Sequence, residues 1–142
     1  MSLMGYAVVQ TGTPELWLDD GYAQFNGTSL VKVCGLTQVD SIAQSGTGVI
    51  TVQLSGLVNV VAVHPTFIGA AGSGVAIHLV SVAVAGTNSG GNASVQIILQ
   101  VVTASSGSAI NLTSGQGVCL DIRYTRSNLI IGSAPSAGMC VL

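Results

Sequence analysis

One sequence feature constrains the fold more than any other: residues 41–120 contain no Asp, Glu, Lys or Arg. Short apolar runs rich in β-branched residues occur along this stretch, separated by Gly, Ser, Thr and Asn. Runs of this kind, bounded by turn-forming residues, are typical of β-strands. We therefore predict strands over residues 49–54, 58–63, 75–84 and 94–102.

The side-chain pattern within these runs also predicts which faces are buried. Ile50, Val52 and Leu54 alternate with more polar neighbours, as in a strand with one buried face. Residues 95–102 are largely apolar on both faces, which predicts a central strand of a sandwich or a strand covered by a neighbouring subunit. The apolar phase changes within 75–84, and a β-bulge near Leu79 would explain the change.

Turn signals organise the remainder of the chain. Asn26-Gly27 predicts a hairpin with a type I′ turn between residues 22–25 and 29–34. The Asp19-Asp20-Gly21 step predicts a turn near the start of the chain. Pro65 predicts the end of ordinary strand pairing, because proline cannot donate to a ladder. An alternating segment over 118–124 predicts the last strand.

Seven or eight short strands without a helical period predict an all-β chain, an antiparallel β-sandwich or jelly-roll-like fold with extended terminal arms. A length of 142 residues fits one domain. Within it we distinguish an N-terminal arm with the first strand (1–27), a β-sandwich core (28–125) and an apolar C-terminal arm (126–142).

Charge and hydropathy argue against several classes of function. Three cations and a net charge of -2 leave no basic patch for nucleic acid. Mean hydropathy is +0.70, yet no apolar run approaches the roughly 18 residues of a membrane-spanning helix. The N-terminus has neither a cationic start nor a long apolar block, so no secretory signal is expected and synthesis in a cytoplasm is favoured.

No catalytic, cofactor-binding or metal-binding set emerges from the scarce ionisable residues. His64 and His78 lack a third ligand at a recognisable spacing, which favours hydrogen-bonded histidines over a metal site. Glu15, Asp19 and Asp20 do not follow the spacing of a calcium loop and are expected to be solvated turn carboxylates. The cysteines, an odd number without C-x-x-C spacing, predict buried reduced thiols (Cys34, Cys119 and Cys140).

Both ends of the chain are rich in large apolar residues, more than free tails would carry. Docked on a neighbouring subunit, each could contribute about 1.5–3 kcal/mol, enough for a few of them to offset the cost of association. We therefore expect a homo-oligomer, dimer or trimer, in which terminal arms are exchanged; the alternative is that both arms pack on their own sandwich. The interface candidates are Tyr6, Val8, Leu16, Trp17, Leu18, Leu129, Ile130, Ile131, Met139, Val141 and Leu142.

The order of segments carries a resemblance. A Gly-led strand (45–54), a second strand ending in proline (58–65), paired Val-rich strands, the segment 112–115 and a final alternating strand (118–124) follow one another. This arrangement, covering about residues 40–125, resembles small β-sandwich virion proteins of tailed bacteriophages, and most of all capsid decoration, or cement, proteins. The chain lacks the heptads or triple-β repeats of a fibre stalk.

The resemblance implies a non-enzymatic structural protein of the virion that binds the major capsid protein of a phage head and stabilises its lattice. The alternative is a receptor- or glycan-binding sandwich from a tail tip or fibre. That alternative depends on four aromatic residues close together in sequence, in a chain with only six: Tyr6, Trp17, Tyr22 and Phe25.

Overall fold

The computed structural model of the chain describes residues 16–126. The described residues form eight antiparallel β-strands and no helix. The strands are β1 (Trp17–Phe25), β2 (Leu30–Gly35), β3 (Val39–Gly46), β4 (Val49–Leu54), β5 (Val58–Ile68), β6 (Val75–Thr87), β7 (Ala93–Thr103) and β8 (Gly117–Arg126). The prediction of an all-β chain is therefore confirmed.

The strands make two four-stranded sheets that enclose one core, the arrangement of a β-sandwich. Sheet 1 has the order β2-β1-β8-β5, and sheet 2 has the order β3-β4-β7-β6. The core lies between them and includes Ile50 and Val52 of β4, Leu99 of β7, and Leu120 and Ile122 of β8, all fully buried. The period-two pattern thus predicted the buried face of β4 correctly.

Strand β7 is central in sheet 2, between β4 and β6. Its inward residues Ile97 and Leu99 belong to the core, whereas Ile98 on the other face is half-buried. The central position, one of the two explanations offered for a strand with two apolar faces, is therefore confirmed, and cover of the outer face by a neighbouring subunit stays a prediction. The predicted bulge in β6 is also present, between Leu79 and Ser81.

Three turn predictions are corrected by the fold. Strand β1 continues through Gly21, and the β1–β2 loop is closed by the Asn26 side chain, whose Oδ1 accepts hydrogen bonds from the backbone N–H groups of Thr28 and Ser29. Asn26 does not have the positive φ that a type I′ turn requires. Strand β5 continues past Pro65, which is tolerated because β5 is the edge strand of sheet 1.

Both ends of the described chain leave the same end of the sandwich. Trp17 at the start of β1 pairs with Tyr124 near the end of β8, and Arg126 pairs with Val58 at the start of β5. Of the two terminal segments, residues 16–27 of 1–27 and Arg126 of 126–142 are described, and the other residues lie outside the described part of the chain. We call the end near Trp17 and Arg126 the terminal end of the sandwich.

Candidate interaction surfaces

The few charged side chains are divided unequally between the two sheets. Six of the described strands' charged residues lie in sheet 1 (Asp19, Asp20, Lys32, Asp121, Arg123 and Arg126), and only Asp40 lies in sheet 2. The outer face of sheet 2 is instead covered by hydroxyl, amide and apolar groups, such as Thr51, Gln96 and Ile98. Sheet 2 therefore offers a nearly uncharged surface to any partner.

Asp40 contacts the β6–β7 loop rather than standing alone. Its Oδ2 accepts a hydrogen bond from the Ser89 backbone N–H (2.8 Å), and its Oδ1 accepts one from the Ser89 hydroxyl (2.6 Å). These two bonds stabilise the ionised carboxylate, the hydroxyl bond first, and lower the pKa of Asp40 below its usual value. Asp40 thus ties the edge strand β3 to the loop at the terminal end.

We expect Ser89→Ala to raise the pKa of Asp40 toward its ordinary value, because the strongest stabilising bond is removed. A depressed native pKa means that this contribution to stability is present above the unfolded pKa of about 3.9 and is lost as pH falls through the folded pKa. Titration of the Asp40 side-chain carboxyl carbon by NMR measures the change. Ser73→Ala, in the loop at the opposite end, is the control; an unchanged Asp40 titration in Ser89→Ala would contradict the prediction.

Asp19, predicted to be a solvated turn carboxylate, is buried with only 5% of its surface exposed. One carboxylate oxygen accepts a hydrogen bond from the Thr37 N–H (2.9 Å), and the other accepts one from the Gln38 N–H (2.7 Å). That prediction was wrong, because Asp19 lies on the inner side of β1 and binds the β2–β3 turn. Asp20, the next residue along the strand, is exposed.

The structure does not assemble the considered metal ligands. Asp19 and Asp20 lie on opposite faces of β1, and Glu15 lies outside the described residues. His64 is in β5 of sheet 1 and His78 is in β6 of sheet 2. Over residues 16–126, no group of three or more His, Cys, Asp or Glu residues is placed to hold a metal ion.

Sheet 1 carries a polar row on its outer face. His64, Asp121 and Asp20 are directly opposite one another across β5, β8 and β1. Arg123 Nε lies 3.6 Å from Asp121 Oδ1, which is an ion-pair distance but too long for a hydrogen bond. Both side chains are at least 37% exposed, so the pair contributes little to stability, at most about 1 kcal/mol.

The described aromatic residues of β1 do not form one binding platform. Trp17 pairs with the core residue Tyr124 and Ala23 with the core residue Val118, so both face inward, whereas Tyr22 pairs with Cys119 on the outer face. Phe25 packs against the core eight residues after Trp17, roughly 26 Å along the strand. Tyr6 lies outside the described residues. Aromatic residues that are close in sequence are therefore far apart along the strand or on opposite faces of it.

A cleft lies at the end of the sandwich opposite the terminal end. It has a volume of ≈ 440 Å³ and lies between the β1–β2 hairpin and the β7–β8 loop. The Gln24 Nε2 donates a hydrogen bond to the Gly115 carbonyl oxygen (3.0 Å) beside it. The lining residues are Gln24, Phe25, Asn26, Val31, Val33, Ser114 and Gly115.

The described cysteines are free thiols, but they are less buried than predicted: Cys34 is exposed and Cys119 is intermediate. Both pair with Tyr22, one on each side of β1. Two strand spacings, about 9.6 Å, therefore separate them, which exceeds the reach of a disulfide. Cys140 lies outside the described residues.

Exposed large apolar residues are the most distinctive surface feature. Of the interface candidates, Leu16, Trp17 and Leu18 are described, and all three are exposed at the start of β1. The candidates Tyr6, Val8, Leu129, Ile130, Ile131, Met139, Val141 and Leu142 lie outside the described residues. Sequence reasoning missed a second group on strand β6, which we call the β6 apolar edge: Leu79, Val80, Val82 and Val84.

The Val-rich run of β6 was visible in the sequence, but its exposure was not. Val82 and Val84 pair with the core residues Ile97 and Val95, so their side chains point toward the core side of sheet 2. They nevertheless remain 38% and 67% exposed. Alternation alone cannot reveal this, because it predicts the face of a side chain and not whether another layer covers it.

Comparisons with protein-family models, with curated proteins and with solved structures find no match to this chain. In the part of the chain that the structure describes, no helix has the length and apolar character needed to cross a membrane.

Proposed function

We propose that this chain is a non-enzymatic structural protein of a bacteriophage virion, a decoration or cement protein that binds the major capsid protein of the phage head. The observation that carries the proposal is the combination of a nearly uncharged sheet 2 with large apolar residues exposed at the start of β1 and along β6. Exposed apolar patches of this kind are typical of interaction surfaces.

The two-sheet architecture agrees with the resemblance that suggested this class. A small sandwich in which the outer face of sheet 2 is populated by hydroxyl, amide and apolar groups can lie with that face against a protein lattice without desolvating many charges. Buried unpaired charges weaken an interface strongly, so a surface with one charged residue in four strands is favourable for docking. The protein acts in the virion as a homo-oligomer, a dimer or a trimer, after synthesis in the bacterial cytoplasm.

The test is co-sedimentation of the purified protein with shells assembled from the major capsid protein of the virus that encodes it. We expect saturable binding and a higher melting temperature of the decorated shells, because a ligand that binds only the assembled lattice stabilises it. Leu18→Lys should weaken binding, and Ser73→Lys, at an exposed position in the loop at the opposite end, is the matched surface control. Absence of binding by a folded protein would overturn the proposal.

Exchange of terminal arms is the proposed means of assembly. Deletion of residues 129–142 should remove the contacts made by the exchanged arms and lower the assembly state, measured by light scattering, while the far-ultraviolet spectrum remains that of a folded β protein. Global unfolding, or an unchanged assembly state, would contradict arm exchange and favour packing of each arm on its own sandwich.

The second candidate, a tail-tip or fibre domain that binds a receptor or glycan, is favoured only by the cleft between the β1–β2 hairpin and the β7–β8 loop. The amides of Gln24 and Asn26 beside the ring of Phe25 are groups suited to a sugar. A glycan array tests it. Hits that disappear in Gln24→Ala but persist in Trp17→Ala would support a site in the cleft, and an array without hits would exclude the tested glycans as ligands.

A further inference from the structure

The four outermost strands of the sandwich differ in how they discourage pairing with another chain. An edge strand presents unpaired backbone N–H and C=O groups, and natural proteins protect such edges with charges, prolines, bulges or short length. In the described sheets the edge strands are β2 and β5 in sheet 1, and β3 and β6 in sheet 2. Three of them carry at least one charge or proline, and β6 carries neither.

The protected edges use different devices. In β2, Lys32 lies opposite the buried Ala23 and its ammonium group donates to the Val39 carbonyl oxygen (2.6 Å), so the edge contains an inward-pointing charge. In β3, Asp40 is charged. In β5, Pro65 removes a donor.

Strand β6 is the longest of the four, with 13 residues. It has irregularities between Leu79 and Ser81 and between Val84 and Thr87, but residues 81–84 between them pair with β7 in regular register. This regular segment has no charged side chain, and it includes the exposed residues Val82, Ala83 and Val84. Among the described residues, its free side is therefore an uncharged template for one more strand.

We propose that the occupant of this template is β6 of a second copy of the chain, paired antiparallel about a twofold axis at Ala83. In such a pair each residue lies opposite a partner on the same face of the sheet. An axis at Ala83 places Ala83 opposite the partner's Ala83 and places Val82 opposite the partner's Val84 on both sides of the axis. The exposed valines thus cover one another, and sheet 2 becomes one eight-stranded sheet across the dimer.

The chemistry of the edge selects a second copy over a charged partner. Backbone groups of an edge strand are satisfied by another extended strand, and the contact between two copies is isologous, so both partners must present the same self-complementary residues. Residues 81–84 meet that condition because they combine small or β-branched side chains with no charge that would repel its own copy. The β6 pairing involves described residues only and is independent of the capsid function.

Cross-linking tests the register. In a background with Cys34, Cys119 and Cys140 replaced by Ser, Ala83→Cys should form a covalent dimer with a short bismaleimide, because directly opposite Cβ atoms are about 5 Å apart. Ala43→Cys is the matched control, since Ala43 is an exposed alanine on β3, the other edge of the same sheet. Equal cross-linking of both variants, or none with Ala83→Cys, would overturn the proposal.

Charge repulsion provides the second measurement. Ala83→Lys places two ammonium groups opposite each other and should weaken self-association at least about tenfold by sedimentation velocity, whereas Ala43→Lys should not. A wild-type protein that remains monomeric at tens of micromolar, or an Ala83→Lys variant that assembles like wild type, would overturn the inference. A cross-linked Ala83→Cys dimer that fails to bind capsid shells would support the β6 pairing and contradict the proposed capsid function.

Discussion

Gly35→Ala is expected to lower the free energy of unfolding by more than about 4 kcal/mol, a loss found only where a substitution meets a severe steric conflict. Gly35 ends β2 opposite Gly21 of β1, and the two backbones approach closely there. A Cβ on Gly35 would overlap the Asp20 carbonyl oxygen and lie 2.8 Å from the Gly21 Cα. Both obstacles are backbone atoms of a central strand, so neither can move without separating β1 from β2 or β8.

The control for Gly35→Ala is Gly72→Ala. Gly35 has φ +65° and Gly72 has φ +80°, so both substitutions force an L-residue into the left-handed region. A Cβ on Gly72 would meet nothing within 4 Å, and its cost should remain near the roughly 1–2 kcal/mol of that conformation. Urea denaturation of both variants measures the difference. Equal losses would show that backbone conformation, and not the close approach of β1 and β2, is what requires glycine at position 35.

Asp19→Ala is expected to destabilise the sandwich by about 2–4 kcal/mol, because it removes a buried acceptor of two backbone hydrogen bonds. The N–H groups of Thr37 and Gln38 both donate to this carboxylate. The turn they belong to carries the chain from sheet 1 to sheet 2, between β2 and β3. Loss of the Asp19 carboxylate should also weaken the neighbouring hydrogen bond that the Tyr124 hydroxyl donates to Gln38 Oε1 (3.3 Å).

The matched control for Asp19→Ala is Asp20→Ala, which removes an exposed carboxylate from the adjacent position of the same strand. We expect that variant to remain within about 0.5 kcal/mol of wild type in a urea titration. Amide hydrogen exchange provides a local readout, because Thr37 and Gln38 should lose protection in Asp19→Ala alone. Retained protection at both amides would mean that the turn does not depend on the carboxylate.

The sequence predicted strands well where the alternation of apolar and polar residues reflects the burial of one face of the strand. The predicted segment 49–54 coincides with β4, since one face of that strand meets the core and the other does not. The bulge in β6 was predictable because an extra residue moves every later side chain to the opposite face. Low charge and short β-branched runs were sufficient to predict an all-β fold.

The candidate surfaces were predictable only in part. Leu16, Trp17 and Leu18 are exposed at the start of β1, while the C-terminal candidates lie outside the described residues, so their role in an interface stays a prediction. Asp19 was misassigned because its acceptor role depends on the β2–β3 turn, 18 residues away in sequence. The aromatic grouping failed because a strand separates residues that are near in sequence by more than 3 Å per position.

The sequence by itself determined that this chain forms strands, where most of them begin, and which side of β4 and β8 is apolar, because these properties depend on neighbouring residues. Only the tertiary structure decided which strands are central and which are edges, since that order is set by contacts between distant segments such as β1 with β8. Edge position explains why Pro65 is tolerated within β5 and why the valines of β6 are exposed. Val95 and Val101 of β7 are buried, whereas Val82 and Val84 of β6 are exposed. Burial depends on the layer that covers a strand and not on the strand alone.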